Sequence, residues 1–190
     1  MRSSVIRKLL FQLWLIDGRR KLRHLQPHLN APQSIVDIGC GAGSVTSLLR
    51  AQGHVVTPLD VRAQSLTAAV TPLLFDGKHM PFAALHFDVA LLLTVLHHAN
   101  DPDALLAEAA RVARCVCVIE DTYGNRAQRA LTLATDSIVN VEFRGHPHNN
   151  RSDSEWRAEF ARLRLRVRYS ANWPVAIFYR QNLYVLESAC

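Results

Sequence analysis

Ile35-Val-Asp-Ile-Gly-Cys-Gly-Ala-Gly43 is the stretch on which the fold turns. An apolar run carrying one acid, Asp37, leads into three glycines at alternate positions, and a helical pattern opens at Ser44. Glycines placed between a strand and a helix let the chain turn tightly and let a ligand approach the backbone of Gly39, Cys40, Gly41 and Gly43. The spacing is G-x-G-x-G. A dinucleotide fingerprint needs G-x-G-x-x-G, and Ser44 and Val45 stand where that third glycine would be sought, so pyrophosphate geometry is not reproduced. Asp37, two residues before the first glycine, makes better sense facing a cation.

Outward from this turn, short aliphatic runs alternate with helical patterns in the rhythm of βαβ units. Strands are predicted at residues 34–38, 54–59, 71–75, 87–93, 114–120, 163–169 and 177–186, and helices at 44–51, 63–69, 103–113, 125–139 and 154–163. The early strands are continuously apolar, as in a parallel sheet covered on both faces, so a ligand belongs at their carboxyl ends. Asp60 closes the second strand about 20 residues beyond the glycines, where an acid can accept hydrogen bonds from ribose hydroxyls. Asp76, in Phe75-Asp-Gly77, follows the third and could accept from an adenine amino group beside an apolar neighbour. Three acids after three consecutive strands converge on one crevice that suits a nucleoside.

The chain has 190 residues, 49% of them hydrophobic and 20% charged, which suits one soluble domain. Cys40, Cys115, Cys117 and Cys190 form no C-x-x-C pair, which argues against zinc and a disulfide framework and for a reduced, cytoplasmic setting. The net charge of +6 is local. Residues 1–30 hold seven basic side chains against Asp17 alone, leaving 15 of each sign in the remaining 160. Val5, Ile6, Leu9, Leu10, Leu13, Trp14 and Ile16 recur at spacings of three and four, so residues 4–24 read as an amphipathic helix with a basic face. The run Leu9 to Ile16 is shorter than the ~20 residues of a spanning helix and lacks a cleavage site, so neither a membrane span nor a signal peptide is expected. A linker with Pro27 and Pro32 follows, which divides the chain into a helix and linker at 1–30 and a main domain at 31–190. Three readings of the helix are open: a lid over the crevice, a contact with an anionic membrane, and a nucleic-acid contact.

From about Ser34 to Glu120 the chain resembles the class I S-adenosylmethionine-dependent methyltransferases of small molecules, related to the ubiquinone/menaquinone enzymes. Asp37 to Gly43 is similar to that family's first motif, Asp60 to its ribose-binding acid, and Phe75-Asp76-Gly77 to its adenine-binding segment. Met80-Pro-Phe82 with Phe87 to His98 resembles its fourth-strand motif, and Leu106 to Val112 the helix before strand five. The resemblance implies an α/β, Rossmann-like, seven-stranded, mostly parallel sheet flanked by helices. It also implies S-adenosylmethionine as cofactor, with Thr94, Val95 and His97 at its methionine end, and a small-molecule methyl acceptor. An NAD(P)-dependent oxidoreductase and a degenerate, binding-only methyltransferase-like protein are the alternatives.

Methyl transfer is an in-line displacement that depends on alignment and exclusion of water, with a base only where the acceptor carries a proton. No metal is demanded. Candidate bases are His97 and His98 after strand four, Glu120 and Asp121 after strand five, and His146 and His148. Each also has a plainer reading: the histidines as pocket or loop walls, the acids as caps of the next helix. Arg162-Leu-Arg-Leu-Arg-Val-Arg168 alternates and reads as a half-solvated edge strand, with phosphate binding as the other possibility.

Overall fold

The computed structural model describes residues 2–30, 32–123, 149–175 and 180–188. The described elements run α1 (Arg2–Leu25), β1 (Ser34–Ile38), α2 (Ser44–Ala51), β2 (Val55–Asp60), β3 (Leu73–Leu74), β4 (Phe87–Leu93), α3 (Pro102–Val112), β5 (Ala113–Thr122), α4 (Asp153–Arg162), β6 (Leu165–Pro174) and β7 (Arg180–Ser188). The strands form one sheet in the order β3-β2-β1-β4-β5-β7-β6. The pairings among β1 to β5 are parallel, and β7 runs antiparallel to both β5 and β6. The expected seven-stranded, mostly parallel α/β sheet is present.

Both faces of the sheet are covered, which is why its strands carry apolar residues at consecutive positions. Val36, Ile38, Ala90, Leu92, Tyr184 and Leu186 point to one side, against Leu106, Trp156 and Phe160 of α3 and α4. Ile35, Val89, Leu91, Leu93, Leu183 and Val185 point to the other, against Leu22 and Leu25 of α1 and Leu49 of α2. Helix ends are closed by short side chains. Asp101 accepts from the Ala104 amide at 2.9 Å ahead of Pro102, and Ser152 with Glu155 forms a capping box at the start of α4.

Several expectations are corrected. Residues 63–69 form no helix. The Ser65 hydroxyl donates to the Thr67 carbonyl at 2.9 Å and the Leu66 amide to the Ala42 carbonyl at 3.1 Å, so local bonds win over a short helix. The third strand shrinks to Leu73–Leu74, and the sixth begins only at Leu165 because Leu163 still caps α4. Of the alternating arginines, Arg162 lies in α4, while Arg166 and Arg168 on edge strand β6 both pair with Glu187, at 3.0 and 2.9 Å. The predicted helix at 125–139, the first residues of the predicted seventh strand, and His146 and His148 lie outside the described residues.

Helix α1 is present where the spacing placed it, but the spacing did not tell which of its sides is buried. The residues whose spacing revealed it, Ile6, Leu9, Leu13 and Ile16 among them, are exposed, and the buried contact is made by Gly18, Lys21, Leu22 and Leu25. No described helix is long and apolar enough to cross a membrane.

Candidate functional site

The strand order reverses between β1 and β4, whose carboxyl ends lead into Gly39–Gly43 and Thr94–His98. In an open α/β sheet a ligand crevice lies at such a switch point. Gly39, Gly41 and Gly43 all have positive φ, at 69°, 49° and 78°, and only two of them are crowded. A Cβ on Gly39 would sit 2.6 Å from Val95, and one on Gly43 would sit 2.9 Å from Ser65 and Val70. At Gly41 it would meet nothing nearer than the Gly39 carbonyl at 3.9 Å. The turn is thus packed from below by the β4 loop and the 65–70 segment, and open at its middle.

Asp60, buried at the end of β2, accepts from the Gly41 amide at 2.9 Å and the Arg62 amide at 3.1 Å. It fixes the middle of the turn and presents a carboxylate beside the open space. Asp37 is buried beneath and accepts from the Thr46 hydroxyl of α2 at 2.6 Å. Burial pushes its carboxyl up to about 6 against the pull of that hydrogen bond, and the Asp60 charge adds to the rise. The same burial and the two acids push the Cys40 thiol up to about 12, which leaves it a packing group and not a nucleophile. Asp76 follows β3, where the Phe75 amide bonds the Asp60 carbonyl at 3.2 Å. Its exposed carboxylate takes the Lys78 and His79 amides at 2.8 and 2.7 Å, which hold it down at about 2, and Gly77 completes this turn with φ 82°.

On the other wall Thr94 occupies the left-handed region at φ 61°, costly for a β-branched residue. Its amide donates to the Ile119 carbonyl at 2.6 Å, and its hydroxyl receives Lys21 Nζ at 2.9 Å. Val95 and Leu96 donate their amides to Glu120 Oε1 at 2.8 and 2.7 Å, while Oε2 pairs with His97 Nδ1 at 2.5 Å. Glu120 and His97 are both buried, so this carboxylate serves as the anchor of the Thr94–His98 loop. His98 is half-buried with its ring 4.0 Å from that of His97.

Sequence reading missed four residues here. Lys21, 6% exposed, reaches from α1 to Thr94 and to Asp17 at 3.0 Å. Arg20 bridges Asp17 and Gln181, and Gln181 donates to Asp121 at 2.8 Å; burial raises the Asp121 carboxyl, with His97 and Gln181 opposing. Asn150 is the fourth. Asn149 ties this segment to the His97 and Ala99 carbonyls, and Tyr123 after β5 bonds the Asn150 carbonyl at 3.4 Å. The Asn150 side chain is 6% exposed, and neither its oxygen nor its nitrogen meets a hydrogen-bond partner among the described residues. The signal that could have found Lys21 is its place one residue before Leu22 and four after Asp17.

The donor set fits a nucleoside with a cationic end: open backbone at Gly41, buried carboxylates at Asp37 and Asp60, and no cluster of metal ligands among the described residues. Comparison with known proteins agrees. A family profile described as a methyltransferase domain matches residues 36–115. The ubiquinone biosynthesis O-methyltransferase of Thiobacillus denitrificans is 28% identical over 124 residues, covering 60% of this chain and 52% of that protein. Its counterpart in Aromatoleum aromaticum is 30% identical over 95 residues, 44% of this chain and 41% of that one. The chain spans about half the length, or less, of such relatives. Among solved structures, a SAM-dependent methyltransferase from Methanosarcina mazei superposes with a TM-score of 0.70 at 15% identity, covering 87% of this chain and 96% of that one. Magnesium protoporphyrin IX methyltransferase from Synechocystis, with bound SAH, gives 0.66 at 17% identity over 92% and 83%. Residues 36–115 thus match a methyltransferase domain, and the fold is that of S-adenosylmethionine-dependent methyltransferases of known structure.

Proposed function

We propose that the chain transfers a methyl group from S-adenosylmethionine to a small-molecule acceptor, lipid-like or aromatic, in the cytoplasm. The observation that carries this is Gly41. It is the one turn glycine with open space above it, and its amide is held by a carboxylate able to take sugar hydroxyls. When bound, the cofactor supplies an electrophilic methyl carbon on a sulfonium. The backbone of Gly39, Cys40, Gly41 and Gly43 would hold the nucleoside, with Asp60 at its ribose and Phe75, Asp76 and Gly77 at its base. Asp37, Thr94, Val95 and His97 would line the methionine end, where the buried Asp37 carboxyl suits a positive charge.

Catalysis in this reading rests on positioning and dryness. Glu120 and His97 act as positioning residues that hold the Thr94–His98 loop against the turn. His98, half-buried at the end of that loop, is the described candidate to take a proton from an acceptor that carries one. The Asn150 amide, without a partner among the described residues and tied to the same loop through its neighbour, suits a polar group on the acceptor. A small-molecule acceptor is supported by the names of the relatives and by a neighbour from Streptomyces coelicolor, geranyl diphosphate C-methyltransferase. We also take residues 1–30 to be an appended basic helix and linker and 31–190 to be the catalytic domain, although α1 shares the second core.

Calorimetric titration with S-adenosylmethionine, S-adenosylhomocysteine and NAD tests the reading. Micromolar binding of the first two is expected; binding of NAD alone refutes it.

A further inference from the structure

The outer side of helix α1 has no partner among the described residues. Ile6, Leu9, Leu13 and Ile16 are 57%, 63%, 64% and 63% exposed, with Val5, Leu10 and Trp14 beside them. At 3.6 residues per turn these seven cover roughly half of the helix circumference. The opposite side is also apolar, but it is occupied: Leu22 and Leu25 sit in the core, Phe11 and Leu15 are half-buried, and a Cβ on Gly18 would come within 3.1 Å of Leu48. A helix apolar on both sides has one face for its own domain and one for something else.

The rim of the stripe names the occupant. Arg7, Lys8, Arg19 and Arg23 are exposed, with Lys8, Arg19 and Arg23 along one edge and Arg7 beyond Trp14 on the other. The lone acid of the segment, Asp17, is engaged by Arg20 and Lys21. A second copy of this stripe would set the four exposed basic residues of its rim against the same four, with the one carboxylate of the helix already engaged. A nucleic-acid backbone would meet the charges and leave the apolar side chains uncovered. An anionic bilayer surface satisfies both features. The helix cannot span the bilayer, so it must lie in the plane of the headgroups.

We propose that the exposed face of α1 docks this chain, in the plane of the membrane, onto a bilayer of anionic phospholipid. The placement bears on the site. Arg7 bonds the Ser65 carbonyl of the segment under the glycine turn, and Lys21 reaches Thr94, so α1 lies along the rim of the crevice. The Leu10 and Trp14 edge of the stripe continues on the same side of the helix as Asp17 and Lys21. An acceptor dissolved in the bilayer would then reach the crevice without crossing water. The docking surface itself does not depend on the methyl-transfer reading.

The test is flotation of the full chain with vesicles of phosphatidylcholine containing about 30% phosphatidylglycerol, against vesicles of phosphatidylcholine alone. Binding to the anionic vesicles is expected, at least about tenfold weaker binding to the neutral ones, and weakened binding in 0.5 M salt, where the Debye length falls from about 8 Å at physiological ionic strength to about 4 Å. Leu9→Asp with Leu13→Asp should lower partitioning about 100-fold, and Lys8→Glu with Arg19→Glu about tenfold or more. Both positions of each pair are exposed, so thermal unfolding and S-adenosylhomocysteine titration of the variants should match the parent, which separates failure of docking from failure of the fold or of the cofactor site. The proposal is overturned by equal flotation of parent and Leu9/Leu13 variant, by absence of flotation with anionic vesicles, by a dimer in light scattering that the Leu9/Leu13 variant dissociates, or by duplex DNA binding that the same variant retains in full.

Discussion

Replacing Asp37 by Asn should make the free protein more stable at neutral pH and poorer at holding its cofactor. Asp37 ionises with difficulty because it is buried, at about 6 in place of 3.8. The difference, 6 − 3.8 = 2.2 pH units, corresponds to about 3 kcal/mol at about 1.36 kcal/mol per unit. A raised carboxyl favours the folded state while protonated, so its contribution is full below 3.8 and is lost as pH rises through about 6. The parent therefore gives up about 2 kcal/mol between pH 4.5 and 7.5 that an Asn at this position never had. The new amide has its own cost, since it keeps the Thr46 hydroxyl as donor but brings N–H groups into a buried place. That cost is independent of pH. The decisive quantity is thus the difference in Tm between variant and parent, which should rise by about 4–8 °C from pH 4.5 to 7.5 for a chain of this length. Scanning calorimetry at several pH values measures it, and titration at pH 7.5 should show S-adenosylmethionine binding weakened about tenfold or more. A Tm difference that stays flat with pH, or falls, refutes the assignment of Asp37 as a buried acid kept for a cationic ligand.

Three further expectations follow from the site. Gly41→Ala should cost only about 1–2 kcal/mol in thermal stability, the left-handed penalty, yet abolish cofactor binding, whereas Gly39→Ala should also destabilise by several kcal/mol because its Cβ would strike Val95. Equal loss of stability in the two, by chemical denaturation, would contradict the packing described. Glu120→Gln should lower stability by about 2–4 kcal/mol, since the amide oxygen can still take the Val95 and Leu96 amides but its NH2 group cannot accept from His97 where Oε2 does; an unchanged denaturation midpoint would remove Glu120 from its anchoring role. Asn150→Ala should leave cofactor affinity as it is and raise KM for the acceptor about tenfold, because the buried amide has no partner among the described residues. Unaltered steady-state kinetics with an identified acceptor would sink that role.

Much of the wall around the glycine turn was legible because its signals are local. Glycines at alternate positions after an apolar run dictate a turn wherever they occur, and Asp60 is placed by the strand it ends. The wall built on Thr94–His98 was not. Glu120 reads in sequence as one of several acids after a strand, and only the β4–β5 pairing brings it under the amides of Val95 and Leu96. Lys21 was counted among the charges of a basic run, although it is buried. The same helix shows why periodicity misleads: a spacing of three and four identifies an apolar face but not what covers it, and here the face that announced the helix is the exposed one. Residues 63–69 failed for another reason, since the hydroxyls of Ser65 and Thr67 satisfy nearby backbone groups that a helix would have needed.

The antiparallel β7 comes after the other six described strands along the chain, yet it lies inside the sheet, between β5 and β6. A growing chain can therefore assemble the five parallel strands as they emerge from the ribosome, while β6 must wait for a neighbour not yet made. Until synthesis passes residue 188, the edge of β5 is an open row of amides and carbonyls. The strand made after the other six is thus the one that covers the β5 edge and moves the sheet's open edge out to the arginine-bearing β6.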